Sequence, residues 1–259
     1  TQAHRQGHGW LPPIGAYATI NITDDSSYDG VYLMTSMASV VPYDTIRLIA
    51  KKHKVGLVIY QEDSPEGHPW PHTCYIDGAL DQLGNVVDFV TIFEEVREAD
   101  IAELNATYDY IKAKYPGTKV YQWPQTNRFN FANLGQLKAD GFIISPRWHW
   151  SELTPTPDGV NDGDFERLFL FPALATGKPV ILLLALGIGA DSPDIHPNYI
   201  WQYAIGQYQA AAKYHVPVVV YEPFFNLDPS IDFEALVIER IAILKDSINL
   251  RIAQSKRRN

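Results

Sequence analysis

Carboxylates are the residues in this chain whose types and spacing could do chemistry. Glu94 and Glu95 stand side by side after the run VVDFVTIF, and Glu222 follows VPVVVY. Glu62 and Asp63 follow VGLVIYQ, and Asp24 and Asp25 come shortly after GAYATIN. Each acid therefore sits just past a short run of Val, Ile, Leu, Phe and Tyr, the composition of a strand buried on both faces. Two carboxyl groups held near one another can divide labour, one protonating a leaving oxygen and the other acting as nucleophile or base. Aromatic and hydrogen-bonding residues occupy the same kind of position. These are Tyr60, Trp70, Gln122, Trp123, Gln125, Arg147, Trp148, His149 and Trp150.

Side-chain parity ranks the acids, because successive residues of a strand face opposite ways. On the fourth run, Val90 and Ile92 read as the helix-packing face, which leaves Phe89, Thr91, Phe93 and Glu95 facing the other way. On the third, Tyr60 and Glu62 share a parity, and on the fifth Tyr121 pairs with Trp123. Glu222 has the parity of Val218 and Val220, and Pro223 after it could re-aim the chain. The order of candidates is Glu95 and Glu222 first, then Glu94 and Glu62, and Asp24 and Asp25 last.

The elements that must position these groups read as eight strand-then-helix units, with a helix marked after every strand but the first. Expected strands are Gly15–Asn21, Gly30–Ser36, Val55–Gln61, Val87–Phe93, Lys119–Gln125, Gly141–Trp150, Lys178–Gly187 and Val216–Phe225. Helices are expected over 42–53, 78–83, 101–115, 131–139, 164–176, 197–214 and 232–254. Such alternation predicts a parallel sheet, and eight units are the number that closes a (β/α)8 barrel. A doubly wound sheet would place a glycine-rich turn after its first strand, and none is there. Helix-to-strand connections are short and strand-to-helix connections long, as at 61–77 and 145–163, which is how an active-site rim elaborates one end of a barrel. The expected organisation is an N-terminal arm over 1–14, one domain over 15–254 and a basic tail, Ser255 to Asn259.

The chain has 259 residues, 21 Lys and Arg against 30 Asp and Glu, and a formal net charge of −9. That balance argues against a general nucleic-acid binder, which needs basic patches to neutralise phosphate. The apolar runs are too short for a membrane helix, which needs roughly 18 residues. A single cysteine, Cys74, excludes an internal disulfide and a thiolate metal cluster. His68 and His72 lie four apart, but Pro69 and Pro71 forbid the helix that would pair them on a metal. No metal or other cofactor is expected. Ser36, Ser145 and Ser151 lack the nucleophile elbow of a serine hydrolase, and the GIGADSP turn lacks the Lys-Ser/Thr of a phosphate cradle.

On Glu94 and Glu95 after the fourth strand, Glu222 after the eighth, and Trp123, Trp148 and Trp150 on neighbouring strand ends, the chain resembles TIM-barrel glycoside hydrolases as a broad class. In many such enzymes an acid/base carboxylate follows the fourth strand, which the resemblance puts on Glu94 or Glu95. Two departures stand out. Phe93, not Asn, precedes Glu94, and the second acid follows the eighth strand rather than the seventh. The resemblance implies cleavage of glycosidic bonds in an oligo- or polysaccharide, with sugar rings on the tryptophans and their hydroxyls on Arg147, His149 and Gln122. A bland reading remains beside it: Glu94 and Glu95 as the acidic first turn of a helix, and Glu222 as a salt-bridge partner of Arg147. Two rival functions are a lyase acting on uronic-acid sugars through Arg147, His149 and Tyr60 or Tyr221, and a barrel that binds glycans without cutting them. A carbohydrate partner and a secreted or periplasmic location are the expectation. The number of subunits is not legible.

Overall fold

The computed structural model describes residues 14–16, 33–36, 43–59, 73–92, 96–124, 129–145, 155–156, 159–160, 165–186, 197–221 and 233–258. Besides a short antiparallel pair, Pro155–Thr156 with Gly159–Val160, it has one eight-stranded sheet, of β1 Ile14–Ala16, β2 Leu33–Ser36, β3 Val55–Val58, β4 Phe89–Thr91, β5 Val120–Gln122, β6 Gly141–Ile144, β7 Val180–Ala185 and β8 Val218–Tyr221. All pair in parallel, in the order β1-β8-β7-β6-β5-β4-β3-β2. Each strand thus lies beside its neighbours in sequence, and the first lies beside the last. β1 and β2 also touch, although no hydrogen-bonded pairing between them falls among the described residues.

Among the described residues six α-helices return the chain between strands or close it: α1 Tyr43–Ala50, α2 Thr73–Leu83, α3 Ile101–Lys114, α4 Phe171–Ala175, α5 Pro197–Lys213 and α6 Phe233–Arg258. The architecture is α/β, with a parallel sheet and its crossover helices. Three departures from the sequence expectation have physical causes. α2 starts at Thr73, five residues before the expected Gly78, so the helix takes up the end of a loop that its prolines had made look irregular. The helix expected over 131–139 is a 3-10 run, Phe131–Gln136, entered through Asn130, whose side chain accepts from the Ala132 N–H at 3.1 Å. It is ended by extended backbone at Leu137. The basic tail is not a tail up to Arg258, because α6 continues through it.

A π-turn over Glu166–Leu170 leads into α4. Pro172 explains it: the ring has no N–H and crowds the carbonyl four residues back, so the turn before it widens.

The sheet separates two cores. Leu57, Ile59, Val90, Ile92, Val120, Phe142, Ile144, Val218 and Val220 pack with the helices in the larger one. Val58, Phe89, Tyr121, Trp123, Ile143, Ile181, Leu183 and Val219 form a second cluster on the other face. Alternate residues of the same strands feed the two, which is the period-two rule at work. The second cluster leaves room for its aromatics by using glycine. A Cβ on Gly141 would come within 2.5 Å of Tyr121 Cζ, and one on Gly56 would overlap the Phe89 ring. Gly56 pairs in register with Phe89, and Gly141 with Tyr121. The two rings then stack with centroids 4.4 Å apart and planes 18° from parallel.

Candidate functional site

Parallel pairing puts every strand C-terminus at one end of the sheet, and the candidate acids follow those ends. Glu62, Glu94, Glu95 and Glu222 themselves lie outside the described residues, as do Tyr60, Trp70, Gln125, Arg147, Trp148, His149 and Trp150. So do Asp24, Asp25 and Asp63. The described backbone nonetheless fixes the ground on both sides of the Glu94–Glu95 pair. Thr91 pairs with Tyr121 on β5, and beyond the pair Val96 bridges Pro124 in parallel, its N–H donating to the Trp123 carbonyl at 2.8 Å. Five residue steps on the β4 side therefore span three on the β5 side. The β4 segment carries two residues more than its partner, an excess of the kind that marks bulged strand ends.

The segment Arg97–Asp100, just past the pair, is braced. The Arg97 guanidinium forms two bonds to the Asp100 carboxylate, from Nε at 3.0 Å and from the terminal nitrogen at 3.1 Å. One step on from Arg97, Glu98 Oε2 accepts from the Asn130 N–H at 3.2 Å, and its other oxygen accepts from Asn133 Nδ2 at 2.5 Å. A carboxylate that sequence reasoning passed over thus ties the end of unit four to the 3-10 run of unit five. Its signal was weak: one more acid in an acidic stretch.

Parity holds where it can be read. Val90 and Ile92 lie in the helix-side core, Phe89 in the inner one, and Tyr121 and Trp123 are inner together. Val96 is again helix-side. On β3, Val58 is inner, which is the parity of Tyr60 and Glu62. On β8, Val219 is inner, whereas Val218 and Val220 are helix-side, and theirs is the parity of Glu222.

Gln122 needs correcting. It alternates with Tyr121 and Trp123, is fully buried, and its Nε2 donates to the Lys138 carbonyl at 3.4 Å. It stands on the helix side of the sheet, away from Trp123, and is not a group for binding substrate hydroxyls. Trp123 is inner but only 4% exposed, packed among Tyr121, Ile143 and their neighbours. It forms floor rather than an open platform. Thr91, unmarked by the sequence argument, is fully buried on the fourth strand with inner parity, and its Oγ1 has no hydrogen-bond partner among the described residues. Ser145, with the parity of Ile143, is buried at the end of β6. Among the described residues, the polar and aromatic inner ones come from β4, β5 and β6, and those of β7 and β8 are Ile181, Leu183 and Val219.

Among the described residues no group of three or more His, Cys, Asp or Glu is placed to hold a metal ion. No described helix is long and apolar enough to cross a membrane.

At fold level the chain is similar to TIM-barrel glycoside hydrolases. No protein-family model matches it, and no curated protein does. Solved structures do. Active domain 2 of a thermostable chitinase from Pyrococcus furiosus superposes with a TM-score of 0.56 at 10% identity, over 93% of this chain and 97% of that one. An α-L-fucosidase assigned as putative, from Bacteroides thetaiotaomicron, gives 0.56 at 12% identity over 95% and 96%. A xylanase of glycoside hydrolase family 10 from Thermobacillus composti gives 0.54 at 10% over 85% and 88%. At such identities the likeness is one of fold.

Proposed function

We propose that the sheet closes between β1 and β2 into a (β/α)8 barrel and that the chain hydrolyses glycosidic bonds of an oligo- or polysaccharide. The observation that carries the proposal is the strand order. With β1 beside β8 and all eight strands parallel, the acids that follow β3, β4 and β8 belong to one end of one sheet. That is the end where barrel enzymes keep their chemistry. Glycosidase neighbours of the same fold, covering most of both chains, support the reading.

Glu95 is the general acid and Glu222 the nucleophile or base, with Glu94 and Glu62 the remaining acids of the set. The parity that position 95 shares with Phe89 in the sequence supports Glu95 over Glu94. Pro223 supports a re-aimed Glu222, whose parity on a regular strand would be outer. Tyr60, Trp70, Gln125, Arg147, Trp148, His149 and Trp150 hold the sugar rings and their hydroxyls. Mechanistically, a carboxyl kept protonated in the mouth donates to the departing oxygen, while the opposite carboxylate attacks or activates water.

The test is a polysaccharide panel read by reducing-end release and near-ultraviolet absorbance together. Hydrolysis gives new reducing ends without absorbance; elimination by a lyase gives an absorbing unsaturated sugar. On a substrate found this way, E95Q and E222Q are each expected to lose at least about 100-fold in kcat, the contribution expected of a positioned acid or base, with folding unchanged. Near-normal turnover in both variants would sink the assignment.

A further inference from the structure

The two ends of the molecule differ in charge. The connections after β1, β3 and β7 carry Asp24, Asp25, Asp29, Glu62, Asp63, Glu66, Asp191 and Asp194, and no lysine or arginine. The connections entering β3, β5, β7 and β8 have the opposite composition, basic residues and no Asp or Glu. Lys51, Lys52, His53 and Lys54 lead into β3, Lys119 into β5, Lys178 into β7 and His215 into β8. Lys51, Lys52, Lys54 and Lys119 are exposed. Two acids at this end also bond to strand-entrance backbone: Asp88 Oδ2 accepts from the Val55 N–H at 2.8 Å and Asp140 Oδ2 from the Val120 N–H at 2.9 Å.

The last helix adds to the same end. The helix runs to Arg258. Its last ten residues rise about 15 Å and include Arg251, Lys256, Arg257 and Arg258. The helix dipole favours cations at helix C-termini, which accounts for Lys51 and Lys213. It does not account for Lys54, Lys119 and Lys178, which stand past the helices at the strand entrances.

We infer that this end is a docking face for an anionic polysaccharide, distinct from the acidic end where the chain enters its proposed cleft. Only the choice of polymer rests on the glycosidase reading; the charge does not. A matrix polymer held by the lysines keeps the molecule near polysaccharide, and the acids carried by the connections after β1, β3 and β7 disfavour a polyanion at the other end. A membrane fits less well, because the exposed large hydrophobics Leu48, Phe171 and Ile243 stand on three different helices. A second copy docked head to tail would cover the mouth of the first.

Affinity electrophoresis of the full chain through gels containing polygalacturonate, with dextran gels as reference, tests this. Retardation by polygalacturonate alone is expected, weakening as NaCl rises. K51E/K119E, and a chain stopped at Gln254, should each bind at least about tenfold more weakly, with thermal midpoint and any glycosidase activity on a small chromogenic glycoside unchanged. Absence of retardation, or retardation indifferent to salt and to both changes, overturns the inference. So does binding to phosphatidylcholine vesicles with a minority of phosphatidylserine but not to the polymer, or salt-sensitive self-association instead of polymer binding. If no substrate is ever cleaved while retardation persists, the docking face stands and the hydrolase reading falls.

Discussion

Gly56 and Gly141 are small so that Phe89 and Tyr121 can be large. On paired registers of the inner face, each glycine receives the ring of the strand beside it. Substitution G141A puts a methyl group against Tyr121, whose ring is already stacked on Phe89 and cannot swing away as a flexible chain end could. Overpacking of this kind costs about 1–3 kcal/mol, which for a chain of this length lowers Tm by several degrees. A calorimetric Tm equal to that of the parent would mean that the aromatic layer is loose enough to absorb a methyl group. Residue-scale reading from sequence was mixed for a definable reason. Parity placed Val90, Ile92, Tyr121 and Trp123 on their correct faces, because each lies in a strand or directly after one. The same rule sends Gln122 to the helix side, whereas its nearness to the strand end pointed to the rim, and parity is the stronger signal. Thr91 was legible too, two positions before Phe93 on the inner register, but a lone threonine on an apolar strand carries no chemical signature.

At the scale of elements, both ends of the strands are held by carboxylates with opposite consequences. Asp140 fastens the entrance of β5. It accepts from the Val120 N–H at 2.9 Å, Lys112 Nζ at 3.1 Å and Tyr108 Oη at 3.0 Å. Burial alone would raise its pKa, but the Val120 N–H, Lys112 and Tyr108 together more than offset this and hold it below the ordinary value. A depressed folded-state pKa stabilises the protein above the unfolded value, about 3.9, and that contribution disappears as pH falls through the folded value. The parent should therefore lose stability below about pH 4 more steeply than D140N, as read by denaturant midpoints across pH. At pH 7, D140A should cost about 1–3 kcal/mol by leaving the Val120 N–H unpaired. Glu98 does the corresponding work at the other end, tying the segment after Glu94 and Glu95 to Asn130 and Asn133. E98A is expected to lower kcat on the substrate found by the panel while changing Tm by less than it changes the rate. A fall in Tm with unaltered kcat would make Glu98 a stabilising brace only. Neither brace could be read from sequence, since each joins residues far apart in the chain that share no pattern. The strands could, because a parallel sheet buried on both faces writes continuous apolar runs. Strand ends and the 3-10 run of unit five could not, because single turns and caps decide them.

For the whole molecule, the decisive pairing is between the first strand and the last. Eight alternating units predicted a barrel, and the order β1-β8-β7-β6-β5-β4-β3-β2 is a barrel's order cut between β1 and β2. Ile14, Gly15 and Ala16 match Val218, Val219 and Val220 in register, so three residues near the start of the chain cover the backbone of a strand completed about 200 residues later. Without them the edge of β8 would present unpaired N–H and C=O groups on an apolar Val-rich strand, the kind of edge that recruits other chains. Deleting residues 1–16 should therefore do more than remove a peripheral segment. The truncated chain is expected to lose stability and to form soluble aggregates, seen by size-exclusion chromatography with light scattering, despite the repulsion between molecules of net charge −9. Deleting residues 1–13, which leaves β1 in place, is the control. A 17–259 chain that stays monomeric and keeps the parent's Tm would mean that β8 tolerates an open edge, and would argue against closure of the sheet into a barrel.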